Sequence, residues 1–280
     1  MAKKIGIFAV IFLVSLLFRY QTIHVPFWVD EFSSANQALL MKKFGTEFFT
    51  QKDHYAEPRN LTTYALIAVS FTLFGVTEEA ARLPSELIGS LVPVAVFLLC
   101  TQLYPKRKSV WFSATLLSIT SYFLIVWSRQ ARGYSLQQFC ILLSTYTYLQ
   151  FFSKSVISEK VKWLLATLLV VTVGVFTHPT FLFVAGCFLI HSVIFSNKSW
   201  LSVLKNKTVL ALSASLGIIA LFFLAKTVFI PQVFAHMQLI LTQGVRNNIW
   251  YYHSFLWREY GLVSLVGIFG LAYIFRLENK

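Results

Sequence analysis

Hydrophobic positions along the chain come in long unbroken blocks separated by short polar turns, rather than in alternating or single-stripe patterns. Blocks at 5–23, 84–103, 110–127, 136–153, 162–177, 180–196, 208–230 and 260–275 approach the roughly 20 residues that a helix needs to cross a bilayer. This pattern predicts an all-α polytopic membrane protein with about eight transmembrane helices. A further apolar stretch, LTTYALIAVSFTLFG at 61–75, is short for a span and contains Thr62, Thr63, Ser70 and Thr72.

Charge decides how that stretch is placed. Without a crossing at 61–75, one side of the membrane receives Lys3, Lys4, the PKRK turn at 105–108, and the lysines at 154, 160 and 162. The lysines at 198, 205, 207 and 280 and Arg276 fall on the same side. Short basic segments face the cytoplasm, so the N-terminus is expected inside and 61–75 is expected to lie along the outer interface. Residues 24–83 then form one long extracytoplasmic loop, with a second extracytoplasmic segment at 231–259. The whole of 1–280 reads as a single membrane domain, in the plasma (cell inner) membrane. The first block follows a basic start but lacks a small-x-small cleavage site, and is expected to be retained as a helix.

Composition agrees with this picture. The chain is 57% hydrophobic, 17% aromatic and only 12% charged over 280 residues, well below the charge of an average soluble domain. The net charge of +13 sits in the turns and builds no basic face of the kind that binds nucleic acid. Cys100, Cys140 and Cys187 lie inside apolar blocks and suggest neither a disulfide framework nor a metal pair. There is no phosphate-binding GxxxxGK[ST] loop and no HExxH.

Candidate chemistry is concentrated outside. Eight of the eleven acids, Asp30, Glu31, Glu47, Asp53, Glu57, Glu78, Glu79 and Glu86, fall in or at the edge of the long first loop. Between 87 and 258 only Glu159 follows, so the midplane carboxylates typical of a coupled transporter are missing. SRQARGYSLQQF at 128–139 surfaces on the same side. If this segment is helical, Arg129 and Arg132, three residues apart, share a face, either as phosphate ligands or as interfacial anchors. For Asp30 the plain alternative is a helix cap, since DEFSSANQALLMKKF opens on acids and closes on lysines. His178 in FTHPT is a helix terminator or a site-lining group. In the aromatic-rich segment 231–261, Arg246 is a further candidate lining residue. Asp53, His54 and Glu57 leave a divalent metal ion open as a cofactor, although their spacing is no recognised ligand set.

WVDE, then YALIAVSFTLFGVTEEAARLPSELIGSL, then SRQARGYSL and FTHPT together resemble the GT-C type glycosyltransferases that use polyprenyl-phosphate sugars. That family includes protein O-mannosyltransferases, lipid A aminoarabinose transferases and rhizobial lipopolysaccharide sugar transferases. The resemblance covers about residues 1–200. It implies an essential Asp in the first external loop, matched by Asp30 with Glu31 beside it, and cations around the lipid phosphate, matched by Arg132 and Arg59. Glu57 with Arg59 corresponds to an acid–base pair before the interfacial helix. Many members read HPPLYY where this chain reads RNLTTY at 59–64; Tyr64 is kept, and His54 is the nearest substitute for the absent His. Members usually continue through further spans and a soluble external domain, so this chain is expected to be C-terminally short.

The function implied is inverting transfer of a sugar from a polyprenyl-phosphate donor to an acceptor hydroxyl on a glycolipid, polysaccharide or protein. In that reading Asp30 is the general base and Glu31 assists. Arg59, Arg129 and Arg132 hold the phosphate, with Tyr134 orienting an arginine or a phosphate oxygen. A lipid-linked sugar flippase or a non-catalytic lipid-binding membrane subunit are the alternatives.

Overall fold

The computed structural model describes residues 2–20, 26–49, 60–178 and 181–195, all within one compact unit, Met1–Phe229. These residues build nine α-helices and one 3-10 turn, with no strand among them. The helices are α1 (Ala2–Tyr20), α2 (Val29–Phe44), α3 (Leu61–Phe74), α4 (Glu78–Leu103) and α5 (Lys108–Thr120). They continue with α6 (Tyr122–Ser128), α7 (Tyr134–Ser153), α8 (Ile157–Thr177) and α9 (Phe181–Phe195). The blocks expected at 208–230 and 260–275 lie outside the described residues.

Helix α4 is the central pillar and packs against α1, α3, α5, α6 and α7. It starts six residues before the apolar block because Thr77 caps it, accepting from the Ala80 N–H at 3.1 Å, and Glu78 and Glu79 complement its N-terminal dipole. Its 26 residues span about 39 Å, enough to cross a bilayer. By length and composition α4 and α8 each qualify as a span, and α5 with α6 qualify as a third if taken together.

The single crossing expected at 110–127 is instead broken. Helices α5 and α6 meet at a 52° bend, where the run Ser118–Ile119–Thr120–Ser121 competes for backbone hydrogen bonds. Ser118 and Thr120 bond back to carbonyls of their own helix, and Ser121 leaves the helical conformation to cap α6. Helix α3 has 14 residues, about 21 Å, short of the roughly 30 Å hydrocarbon core.

Burial is inverted relative to a soluble bundle. Ile5, Val10, Leu13, Leu17, Phe112 and Phe183 are exposed, while Ser15, Ser90, Ser128, Ser144 and Thr177 are buried. Small hydroxyl residues let helices approach and hydrogen-bond across, as apolar surroundings favour; Thr167 meets Thr147 at 3.0 Å, and Gln150 donates to Gln102 at 2.7 Å.

One end of the bundle carries its own core. Ala35 and Ala38 of α2, Tyr64, Ile67, Ala68 and Phe71 of α3, Ala80 and Ala81 of α4, and Ala131 form a single buried cluster. The alanines bring α2 and α3 close against the start of α4. Helix α2 ends at Gly45, whose φ of 54° suits a residue without a Cβ. This platform presents residues 28–34 to the turn between α6 and α7.

Candidate functional site

The two adjacent acids of α2 have opposite fates. Trp28, not Asp30, is the N-cap of the helix, so Asp30 stands at the second helical position and Glu31 at the third. The expected capping role therefore falls to Glu31, whose Oε2 accepts from the Trp28 N–H at 3.4 Å. The α2 axis then turns Glu31 inward and leaves Asp30 at the surface.

Glu31 is saturated. Its Oε1 accepts from Arg82 Nε at 2.8 Å and from the Ala131 N–H at 2.9 Å, and its Oε2 accepts from Arg82 Nη2 at 2.8 Å. The Arg82 and Glu31 side chains are 3% and 4% exposed, and the Arg82 guanidinium also lies 5.0 Å from the centre of the Phe27 ring. One carboxylate thus joins α2, α4 and the α6–α7 turn. Planar fork-to-carboxylate pairing of this kind fixes geometry as well as energy.

Asp30 is open. Its carboxylate is 47% exposed and lies 3.5 Å from Arg132 Nη2, itself on a side chain 21% exposed. Arg132 Nη1 reaches the Asp30 carbonyl at 3.3 Å, and Nη2 donates to the Tyr134 hydroxyl at 3.2 Å. The guanidinium stands 5.4 Å from the centre of the Tyr134 ring, which packs edge-on against Trp127. Ser85 Oγ of α4 donates to the Arg132 carbonyl at 2.8 Å. An ion pair this accessible is worth about 0–1 kcal/mol, so an incoming anion can separate it, whereas the buried Glu31–Arg82 pair is spent on structure.

Residues 129–133 form a turn, not a helix, and the shared face expected for the two arginines does not arise. Arg132 turns toward α2. Arg129 turns away to the end of α1, donating from Nε to the Arg19 carbonyl at 2.9 Å and from Nη2 to the Phe18 carbonyl at 2.6 Å. It caps the orphan carbonyls of α1, and these two bonds, not Asp30, fix its guanidinium. Burial pushes the Arg129 guanidinium below its usual pKa range, and the Glu86 carboxylate opposes that shift. Glu86 is itself fully buried, and neither of its carboxylate oxygens accepts a hydrogen bond from any described residue.

Gly133 explains how the turn comes so close to its neighbours. A Cβ there would lie 2.7 Å from Thr63 Oγ1 and 3.2 Å from Thr177 Cγ2. His178 is the C-cap of α8, its N–H donating to the Gly174 carbonyl at 3.0 Å. His54, Glu57, Arg59 and Arg246 lie outside the described residues, as does Asp53. Among the described residues no three His, Cys, Asp or Glu side chains gather as metal ligands.

The residues that sequence reasoning passed over are Arg82 and Ser85. Both lie in the AARLPSE stretch, and with Glu86 they stand at i, i+3 and i+4, a polar stripe at the head of an otherwise apolar helix. That stripe was the available signal; its partners lie 51 and 47 residues away.

The arrangement defines a class: an all-helical membrane protein with an open carboxylate–guanidinium pair on a platform at one end of its bundle. The model of the dolichyl-phosphate-mannose-protein mannosyltransferase family matches residues 58–228, more than half of the chain, and the chain belongs to that family. It is also 24% identical over 240 residues to an uncharacterized protein of Aquifex aeolicus (strain VF5), covering 84% of this chain and 45% of that relative. The chain thus spans about half the length of the curated relative it matches.

Proposed function

We propose that the protein is a membrane glycosyltransferase that moves a sugar from a polyprenyl-phosphate donor to an acceptor hydroxyl on the extracytoplasmic side. The observation that carries this reading is the contrast between Asp30 and Glu31: one carboxylate is open beside a guanidinium, and the other is locked. Asp30 accepts the proton of the acceptor hydroxyl as its oxygen attacks the anomeric carbon. The bond from that carbon to the phosphate oxygen breaks, and the negative charge growing on the phosphate is met by Arg132, preorganised by Tyr134 and Ser85. Displacement in one step inverts the anomeric configuration. Glu31 acts at one remove, fixing the distance between α2 and the turn that carries Arg132. Arg59, two residues after Glu57, is proposed as a second phosphate ligand. The basic turns support an orientation with Lys108 inside and Asp30 outside.

The test is sugar transfer by the purified protein from a defined polyprenyl-phosphate sugar. Asp30→Asn is expected to lower kcat by about 10²–10⁴-fold, the usual worth of a general base, with donor KM little changed. Arg132→Gln is expected to raise donor KM as well as lower kcat. Full activity in Asp30→Asn removes Asp30 as the base. Donor binding by the wild type without transfer from any donor points instead to a lipid-binding subunit.

A further inference from the structure

A second feature lies at the opposite end of the bundle from Asp30. Helices α1 and α5 both run away from the basic turn that contains Lys106, Arg107 and Lys108, and leave a groove of about 400 Å³ between them. On α1 its wall is Ile7, Val10, Ile11 and Val14, one stripe at helical spacing. On α5 the wall is Trp111, Phe112, Thr115, Leu116 and Ile119, again one stripe. Phe97 of α4 closes the floor, held edge-on between Phe8 and Trp111. The groove opens sideways, since Val10 is 61% and Phe112 69% exposed.

Its length and its charge both point to one kind of occupant. From Lys108 to Ile119 the α5 wall rises about 16 Å, close to half of the roughly 30 Å hydrocarbon core and so to the depth of one leaflet. The walls are apolar apart from Thr115, whose hydroxyl is returned to the Trp111 carbonyl at 2.6 Å. The indole N–H of Trp111 is likewise spent, on the Tyr104 carbonyl at 2.7 Å. No hydrogen-bonding group is therefore offered along the length of the groove, as suits a hydrocarbon chain. At its mouth the reverse holds. Lys108 lines the groove, Lys106, Arg107 and Lys108 are all exposed, and Lys4 is exposed at the start of α1. The sequence has no acid from 1 to 29 or from 87 to 158, so neither wall nor the turn supplies a counter-charge.

We infer that the α1–α5 groove binds one acyl chain of an anionic phospholipid, with the headgroup phosphate held at Lys106–Lys108. An apolar slot one leaflet deep with a cationic mouth matches the two halves of such a lipid, by hydrocarbon packing along the walls and by charge at the surface. The site is separate from the Asp30–Arg132 pair and does not depend on the transfer reaction.

The experiment is native mass spectrometry of the full 280-residue chain released from nanodiscs made of phosphatidylglycerol and phosphatidylcholine in equal parts. One phosphatidylglycerol is expected to be retained over phosphatidylcholine by roughly tenfold, the effect of one or two lysines at a membrane surface. The triple variant Lys106→Gln, Arg107→Gln, Lys108→Gln is expected to abolish that preference. Val10→Trp and, separately, Leu116→Trp fill the groove from either wall and are expected to lose the lipid with the charges intact; both positions are exposed, so folding is spared. Neutralising a second basic turn, Lys154→Gln, Lys160→Gln, Lys162→Gln, is expected to leave retention unchanged. Equal retention of the two lipids by the wild type overturns the inference, as does retention of phosphatidylglycerol in both groove-filling variants. A dimer of the wild type that carries no lipid and is dispersed by Val10→Trp also overturns it, by giving the groove to a second copy.

Discussion

The Glu31–Arg82 pair makes a prediction with an unusual sign. Glu31→Gln keeps the shape of the side chain and one oxygen for the Ala131 N–H, but takes the Glu31 carboxylate charge from the Arg82 guanidinium in a site only 3% exposed. Arg82→Met does the opposite, stranding the carboxylate with only the Ala131 and Trp28 N–H groups for donors. Breaking one side of a buried pair costs about 3–5 kcal/mol, because an uncompensated charge stays behind. Glu31→Gln is expected at the lower end, since Glu78 and Glu79 lie four and three residues before Arg82 on α4 and remain as partial counter-charges. Arg82→Met is expected at the upper end. The double variant, Glu31→Gln with Arg82→Met, removes both charges of the pair and keeps the Ala131 bond. It is therefore expected to be more stable than Arg82→Met alone, with a coupling energy of about 2–3 kcal/mol. The measurement is unfolding of the four proteins in mixed micelles by titration with a denaturing detergent, followed by loss of helical circular dichroism. Additive losses, with a coupling below about 0.5 kcal/mol, would refute the assignment of Glu31 as a structural counter-ion. The same set separates structure from chemistry: if Glu31 only holds α2 against the turn, activity should recover in the double variant along with stability.

Two further substitutions test the turn itself. Gly133→Ala should lose about 1–3 kcal/mol by overpacking and displace Arg132, raising donor KM. Adding Thr63→Ala, which removes the atom 2.7 Å from the new methyl, should restore most of both, checked by unfolding and by donor titration. Arg129→Met should cost about 1–3 kcal/mol, the range for leaving acceptors at the end of α1 unpaired, while donor KM stays at the wild-type value; a large rise in KM would return Arg129 to the phosphate.

Much of this molecule was legible before any coordinates. Long apolar blocks report helices directly, because every backbone group in a bilayer must be satisfied within its own segment; six of the eight expected blocks fall wholly or mostly in the described residues, and there each is helical apart from the break at Ser121. The family was legible too, since TEEAARLPSE and ARGY, which carried the resemblance, lie within the residues 58–228 that the family model matches. What hydropathy missed was local: the break at Ser121 comes from hydroxyl groups competing for the backbone, and these barely alter the mean hydropathy of the window around them.

The site was legible only as an inventory. Asp30 and Glu31 are neighbours of the same chemistry, and no residue type within ten positions says which of them will be buried. Their difference is made by Arg82, 51 residues on, and by the Ala131 N–H, 100 residues on, which together consume one carboxylate and leave the other open. Arg129 and Arg132 were likewise alike on paper and are separated by a turn that sends one to α1 and the other to α2. Sequence alone determined which side chains are available and which stretches are helices, because those depend on composition over a local window. Which of two like charges stays free depends on distances between helices, and only the packing of α2 and α4 against the α6–α7 turn decided that.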